Sequence, residues 1–369
     1  MQTFRDMSLG RTAQAIGLPN SPFDSAQFSP RHGFRRRIRV TREAHPWVQQ
    51  FGQRIGWGLQ AFALPDDPTP AAAILAAGRL ADELGLDGFF IGDHPAYAPE
   101  AWLHLGVLAV QTTRVRLGSV VVCAGYRPPV LTARLAADLD ILSNGRAILG
   151  LGHGWNAVEF SQLGLPFPSV PERQAALAEA IEIIRGVWGQ RPFSYHGEHH
   201  STLNQQILPP PLQQPGPPLI LAGSGERTAL RLVAKYADAC NFGAGHSTGL
   251  ARNPDVVRRK NSVLDGFCRE VGRDPSSVLR THFTSWLMLA ETEAESRAKR
   301  DRYYPQGLND EQQFSRVIGA PESVAAYYQN LVEAGMDYFV VQTLDATDTE
   351  TIELLANEVI PRVKPRSVP

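Results

Sequence analysis

From Ile55 onward the chain alternates between two hydrophobic rhythms. Short runs of apolar and β-branched residues are each followed by a longer stretch whose apolar positions recur every three or four residues. The short runs are Ile55–Phe62, Gly88–His94, Val115–Ala124, Ala147–Gly154, Pro218–Ser224, Asp238–Gly243, Thr281–Ala290 and Tyr338–Leu344. They are apolar throughout, which predicts strands buried on both faces. The longer stretches predict helices over Pro70–Leu84, Pro99–Thr113, Pro128–Leu142, Pro171–Trp188, Glu226–Tyr236, Pro254–Val271, Glu322–Ala334 and Thr349–Val363. Several open on Pro and several close just before Gly, as helix ends favour. Strand–helix units in series imply parallel strands with right-handed crossovers. Eight of them is the number that closes a sheet into a barrel filled by side chains. The expected fold class is therefore α/β, a (β/α)8 barrel of the TIM type. The competing open, doubly wound sheet requires a reversal of strand order.

Two segments break the rhythm. Between the fourth helix and the fifth strand, residues 190–217 contain residues alternating about a Gly and then a Pro-rich exit. This predicts a β-hairpin and an extended strap inserted on the barrel. At the other break, residues 1–53 carry eight Arg against Asp6, Asp24 and Glu43. No apolar run follows them, so they are not a signal peptide. The expected organisation is a basic N-terminal arm over 1–53, either without fixed structure or docking another subunit, and one barrel domain over 54–369.

Composition narrows the class. The 369 residues include 36 Lys plus Arg and 37 Asp plus Glu, for a net charge of −1, with 43% hydrophobic residues. That balance fits a globular domain with a full core and argues against a general nucleic-acid binder. No apolar run is long enough to cross a membrane as a helix. The three cysteines, Cys123, Cys240 and Cys268, are odd in number and widely spaced, as in a reducing cytoplasm.

In a parallel barrel, chemistry gathers at the carboxyl ends of the strands. Asp93 and His94 close the second strand. Such an imidazole moves a proton near neutral pH or holds charge beside a redox ring; it serves equally as a strand-end His bonded to backbone. The segment Ala222–Leu230, AGSGERTAL, leaves the fifth strand and opens a helix. There Gly223, Ser224, Gly225 and Glu226 present backbone N–H groups to an anion such as phosphate, or form a plain turn. In GLGHGWNAVEF (Gly150–Phe160), Gly152 and Gly154 allow a ligand close to the backbone, and Trp155 either covers a ring or packs. His196 and His200 in HGEHH lie in a hairpin with no second ligand cluster, so no metal is expected. Cys123 is not expected to be a nucleophile, because its strand is apolar.

Two stretches resemble the luciferase-like monooxygenase superfamily, Tyr126–Trp188 and Pro217–Phe242, and the likeness extends from Ile55 to Val363. Members are (β/α)8 barrels that use FMN or the deazaflavin coenzyme F420. The resemblance implies an oxidoreductase that passes a hydride between coenzyme F420 and a small organic substrate. The alternative is an FMN-dependent monooxygenase acting with oxygen. Asp93 and His94 would be the catalytic pair, and GDH is closer to the deazaflavin members. A bulge with a non-proline cis peptide would lie around Val122, Cys123 and Ala124, behind the ring. His153, Gly154, Trp155 and Asn156 would line the cofactor, and Gly223 to Glu226 would hold its phosphate. A homodimer is also implied. Two departures stand out: Cys123 and Ala124 replace frequent polar residues, and Trp155 replaces a Glu of some deazaflavin enzymes. Outside redox chemistry, a phosphate-binding barrel enzyme and a cofactor carrier without turnover are the competing readings. The hairpin strap and the loop from His246 to Asn253 are expected to wall the substrate pocket, with the segment Tyr303–Phe314 adding a lid.

Overall fold

The computed structural model describes residues 43–51, 53–62, 64, 67–223, 225–243 and 253–366. Eight strands form a closed parallel barrel: β1 (Gly56–Gln60), β2 (Gly88–Ile91), β3 (Arg116–Cys123), β4 (Ala147–Gly152), β7 (Leu219–Ala222), β8 (Ala239–Gly243), β9 (Leu279–Leu289) and β11 (Tyr338–Thr343). They pair in that order, β9 joins β11, and β11 returns to β1. The open-sheet alternative is thereby excluded. The eight predicted strands fall in place, most trimmed at their ends, whereas β9 starts earlier than predicted, at Leu279. A short strand the sequence did not signal, β10 (Val317–Gly319), lies along the upper half of β9 outside the ring.

Two apolar layers explain the closure. Phe90, Val120, Ile148, Ile220, Ala239, Leu279, Tyr338 and Val340 fill the inside of the barrel. Phe89, Leu117, Leu149, Leu221 and Phe339 point outward and pack under the helices. Both faces are apolar, which is why the strands read as unbroken apolar runs.

The arm boundary moves. Residues 1–42 lie outside the described residues, but Pro46–Gln49 forms a helical turn built into the inner layer. Trp47 and Phe51 pack edge-on against Tyr338, with ring centroids 5.7 and 5.2 Å apart. His45 anchors the turn through Nε2 to the Gly216 carbonyl at 3.0 Å. The amino-terminal end of the barrel would otherwise leave Tyr338 and its neighbours wet. Each large apolar side chain buried there contributes about 2 kcal/mol. Residues 45–51 therefore belong to the barrel rather than to an arm ending at 53.

The insertion is also displaced from its expected role. Its hairpin, β5 (Phe193–His196) with β6 (Ser201–Gln205), is antiparallel as expected. It packs on the outside of the helix Val170–Val187, where Glu179 accepts the backbone N–H groups of Glu198, His199 and His200. The strap then reaches the amino-terminal ends of the strands: Gln213 donates to Asp140 and to the Ala147 carbonyl at 2.6 and 2.8 Å, and receives Arg116. It braces the end opposite the mouth and does not wall a pocket there.

Candidate active site

The carboxyl ends of β2, β3, β4 and β7 lie side by side in the ring. Asp93 and His94 follow β2 and part ways. Asp93 is buried and takes a two-pronged contact from Arg127, 2.7 and 2.9 Å, plus the backbone N–H of Cys123 at 3.2 Å. Burial lifts its carboxyl above the ordinary value, with the Arg127 hydrogen bonds pulling the other way. Burial opposes the Arg127 charge too, but Asp93 and Glu100 outweigh it and raise its pKa. A planar guanidinium facing both oxygens is the geometry of an ionised pair. Asp93 thus ties β2 to β3 and the segment after it, and its oxygens are spent on that.

His94 turns to a different set. Its Nδ1 lies 3.1 Å from Glu159 Oε2 and 2.8 Å from Tyr97 Oη, and the two rings stack at 5.0 Å. Tyr126 donates to the same Glu159 oxygen at 2.7 Å. Glu159 is 1% exposed, and its other oxygen, Oε1, has no hydrogen-bond partner among the described residues. Burial first, then the neighbouring carboxylate, raise the pKa of Tyr97. Burial and the Glu159 hydrogen bond do the same to Tyr126. The other side of the imidazole faces inward: an ideal Cβ on Gly92 would stand 3.1 Å from His94 Cδ2, 3.6 Å from its Nε2 and 3.8 Å from the Gln60 amide nitrogen.

Reading only the residues that close each strand missed Glu159, Tyr97, Tyr126 and Arg127. Glu159 sits on a short helix, Ala157–Gln162, capped by Asn156, whose side chain accepts from Val158 and Glu159. The available signal was an Asn followed three residues later by Glu after a glycine-rich strand end, a helix-start pattern.

β3 carries the expected irregularity, placed earlier. The non-proline cis peptide joins Val120 to Val121, not residues within Val122–Ala124, and the register to β4 shifts between Ser119 and Val122. Gln60 holds the spot, donating to the Val120 carbonyl at 2.7 Å, and is itself held by Gln342 at 3.0 Å. Val122, Cys123 and Ala124 are buried, whereas Val121 is partly exposed. Burial pushes the Cys123 thiol up to about 12, so it is no nucleophile near neutral pH.

After β4, Gly154 has φ +81°, and a Cβ there would stand 2.7 Å from Cys123 Sγ and 2.8 Å from Phe160. Only glycine satisfies both the angle and the space. Burial holds the His153 imidazole below its ordinary value. Trp155 is 74% exposed, so it does not pack into the core.

The anion candidate lies one strand on. Gly223 has φ +153°, and a Cβ would press on Ala229 at 2.8 Å. Ser224 lies outside the described residues. The helix starts at Ala229, three residues later than expected, and Thr228 caps it without a side-chain hydrogen bond. Glu226 therefore precedes the helix, and it pairs with Arg259 at 2.8 Å. The loop from His246 lies almost wholly outside the described residues. Just past the segment Tyr303–Phe314, Arg316 lies over Trp286, which meets Phe62 beyond β1.

The sequence model of luciferase-like monooxygenases matches residues 54–339. The chain belongs to that family. This luciferase-like barrel is an oxidoreductase, and its relatives span most of it. It is 28% identical over 324 residues to an F420-dependent glucose-6-phosphate dehydrogenase of Microbacterium testaceum, covering 79% of this chain and 94% of the relative. The protein of that name from Beutenbergia cavernae is 30% identical over 318 residues, with the same coverage. Among solved structures, the coenzyme F420 dependent tetrahydromethanopterin reductase of Methanopyrus kandleri superposes with a TM-score of 0.71 at 24% identity, over 84% of this chain and all of that one. A type II Baeyer-Villiger monooxygenase component of Pseudomonas putida, in complex with FMN, gives 0.67 at 18% identity, over 85% of this chain and 100% of that one. At such identities the structures establish the shared barrel. Among the described residues, no helix is long and apolar enough to cross a membrane.

Proposed function

We propose that this luciferase-like barrel is a cytoplasmic, homodimeric dehydrogenase or reductase that works with coenzyme F420 on a small polar alcohol or its carbonyl partner. The observation that carries the reading is His94: its Nδ1 is engaged by Glu159 and Tyr97, and its Nε2 lies beside Gly92 and Gln60, at the carboxyl ends of β2 and β1. The curated relatives matched over 79% of the chain bear F420-dependent names, and glucose-6-phosphate is the first alcohol to test.

The residues present fit a flat ring with an anionic tail. Val121 stands partly exposed beside the register shift of β3, and Gly152 packs so closely beneath it that a Cβ would lie 2.8 Å from its side chain. The backbone at Gly223, Gly225 and the helix start would take an oxyanion. When bound, the coenzyme supplies a two-electron hydride acceptor or donor. His94 then takes the hydroxyl proton of an alcohol, or returns it to a carbonyl. Trp155, exposed on the same rim, covers substrate rather than core. Asp93 and Arg127 hold β2 and the end of β3 in register beneath this arrangement.

The test is a pair of titrations on the purified chain, with oxidised F420 and with FMN, followed by addition of alcohols. Micromolar F420 binding and bleaching of the coenzyme by an alcohol are expected. Binding of reduced FMN with oxygen uptake, and none of F420, overturns the reading in favour of a monooxygenase. A colourless protein that binds neither overturns redox chemistry altogether. Sedimentation velocity on the same sample reads the dimer.

A further inference from the structure

We propose that Glu159 is the positioning residue that fixes the tautomer of His94: it holds the proton on Nδ1 and thereby leaves Nε2 bare to accept a proton at the barrel mouth.

The argument is one of proton counting. Glu159 Oε2 accepts from Tyr126 at 2.7 Å, and it faces His94 Nδ1 at 3.1 Å. A carboxylate oxygen carries no proton of its own to give, so the nitrogen must donate. An imidazole whose Nδ1 carries the proton has a lone pair on Nε2, and the partner of one nitrogen sets the state of the other. Tyr97 Oη, 2.8 Å from the same Nδ1, then shares that proton as a second acceptor, and the Tyr97 ring stacks on the imidazole to limit its rotation. Were Nδ1 bare, its lone pair would confront Glu159 at 3.1 Å with no proton between them.

Position supports the assignment. Glu159 is almost wholly buried, whereas His94 is partly exposed. A buried carboxylate needs compensation, and the described hydrogen bonds to its side chain come only from His94 and Tyr126, both on Oε2. The short helix that carries Glu159 is held in place by the Asn156 cap and by Phe160, which packs against Tyr126 at 5.0 Å and against Phe167 at 5.0 Å. The imidazole is thus clamped from the side away from the mouth.

The functional consequence rests on the proposed dehydrogenase reading; the tautomer itself does not. The experiment therefore begins on the protein without cofactor. Nitrogen NMR of histidine-labelled protein, with His94 assigned from His94→Gln, reads which nitrogen carries the proton at pH 8. Wild type is expected to show Nδ1–H and bare Nε2. In Glu159→Leu the acceptor is removed and Tyr97 Oη, 2.8 Å from Nδ1, donates to it, so the tautomer is expected to flip to Nε2–H. Tyr126→Phe, which removes the second donor and leaves the carboxylate, is expected to keep Nδ1–H and serves as the control for disturbance of the helix. With a substrate in hand, Glu159→Leu is expected to lower kcat on the order of 100-fold or more with KM changed little, as loss of a correctly disposed base does. A wild-type Nε2–H tautomer overturns the proposal, as does a Glu159→Leu spectrum with Nδ1–H intact. Failure of F420 to bind, with the NMR result as expected, overturns the dehydrogenase reading alone.

Discussion

Replacing Asp93 by Ala tests whether the β2–β3 clamp is structural. The side chain is 1% exposed and accepts three hydrogen bonds, two from Arg127 and one from the Cys123 backbone. Removing one partner of a buried pair costs about 3–5 kcal/mol, because the other charge is left without its counter-ion. Arg127 keeps Glu100 at 3.2 Å, a partner whose side chain is 33% exposed, so the lower end applies. The lost acceptor for the Cys123 N–H adds about 1 kcal/mol. The total is about 4 kcal/mol. An unfolding entropy on the order of 0.7 kcal/mol/K for a barrel of this length converts that to a Tm lower by about 6 °C. Asp93→Asn keeps the size and one accepting oxygen, and is expected to lose about half as much. In Asp93→Ala with Arg127→Met, the stranded charge is gone, so the double change costs less than the two singles added, by about 2 kcal/mol. Thermal unfolding followed by circular dichroism reads wild type, the Asp93→Ala, Asp93→Asn and Arg127→Met singles, and the double change. A single Asp93→Ala within about 1 kcal/mol of wild type refutes the clamp, and strict additivity refutes the pairing.

Three further outcomes follow from the geometry. Burial depresses the imidazoles of His45, His153 and His200, so the unfolded chain, with histidines near pH 6.5, takes up protons first as pH falls. Stability is therefore full above that value and drops below it: the urea midpoint at pH 5.5 should lie under that at pH 7.5, and His45→Asn, which can still cap its helical turn, should narrow the gap. Gly154→Ala combines φ +81° with a 2.7 Å clash on Cys123, whereas Gly85→Ala meets φ +77° with open space, so the first should cost at least twice the roughly 1 kcal/mol of the second, as read by denaturant melts. Thiol labelling of the native protein at pH 8 should be negligible, since all three cysteines are buried and burial raises Cys123 and Cys240 to about 12; rapid modification of Cys123 would show an open bulge.

Local pattern carried much of this protein. Strands buried on both faces must be apolar at every position, so the barrel's eight runs stand out without any knowledge of their partners. The parallel order then follows from the helices between them, and the strand ends point to His94, Gly154 and Gly223 as rim residues. What the sequence could not hold is anything decided by proximity across the ring. Glu159 meets His94 across 65 residues and Arg127 meets Asp93 across 34. Neither spacing is periodic, because barrel closure, not local propensity, sets it. The same holds for the plug: Trp47 and Phe51 read as part of a polar, Arg-rich arm until the open end of the barrel supplies a surface for them to cover. The insertion was legible as a hairpin and strap, yet the hairpin's address on a helix came from Glu179 and the strap's at the far end of the barrel from Gln213, contacts that exist only once the chain has closed. Periodicity reports which face of an element is buried; it carries no record of which distant element buries it.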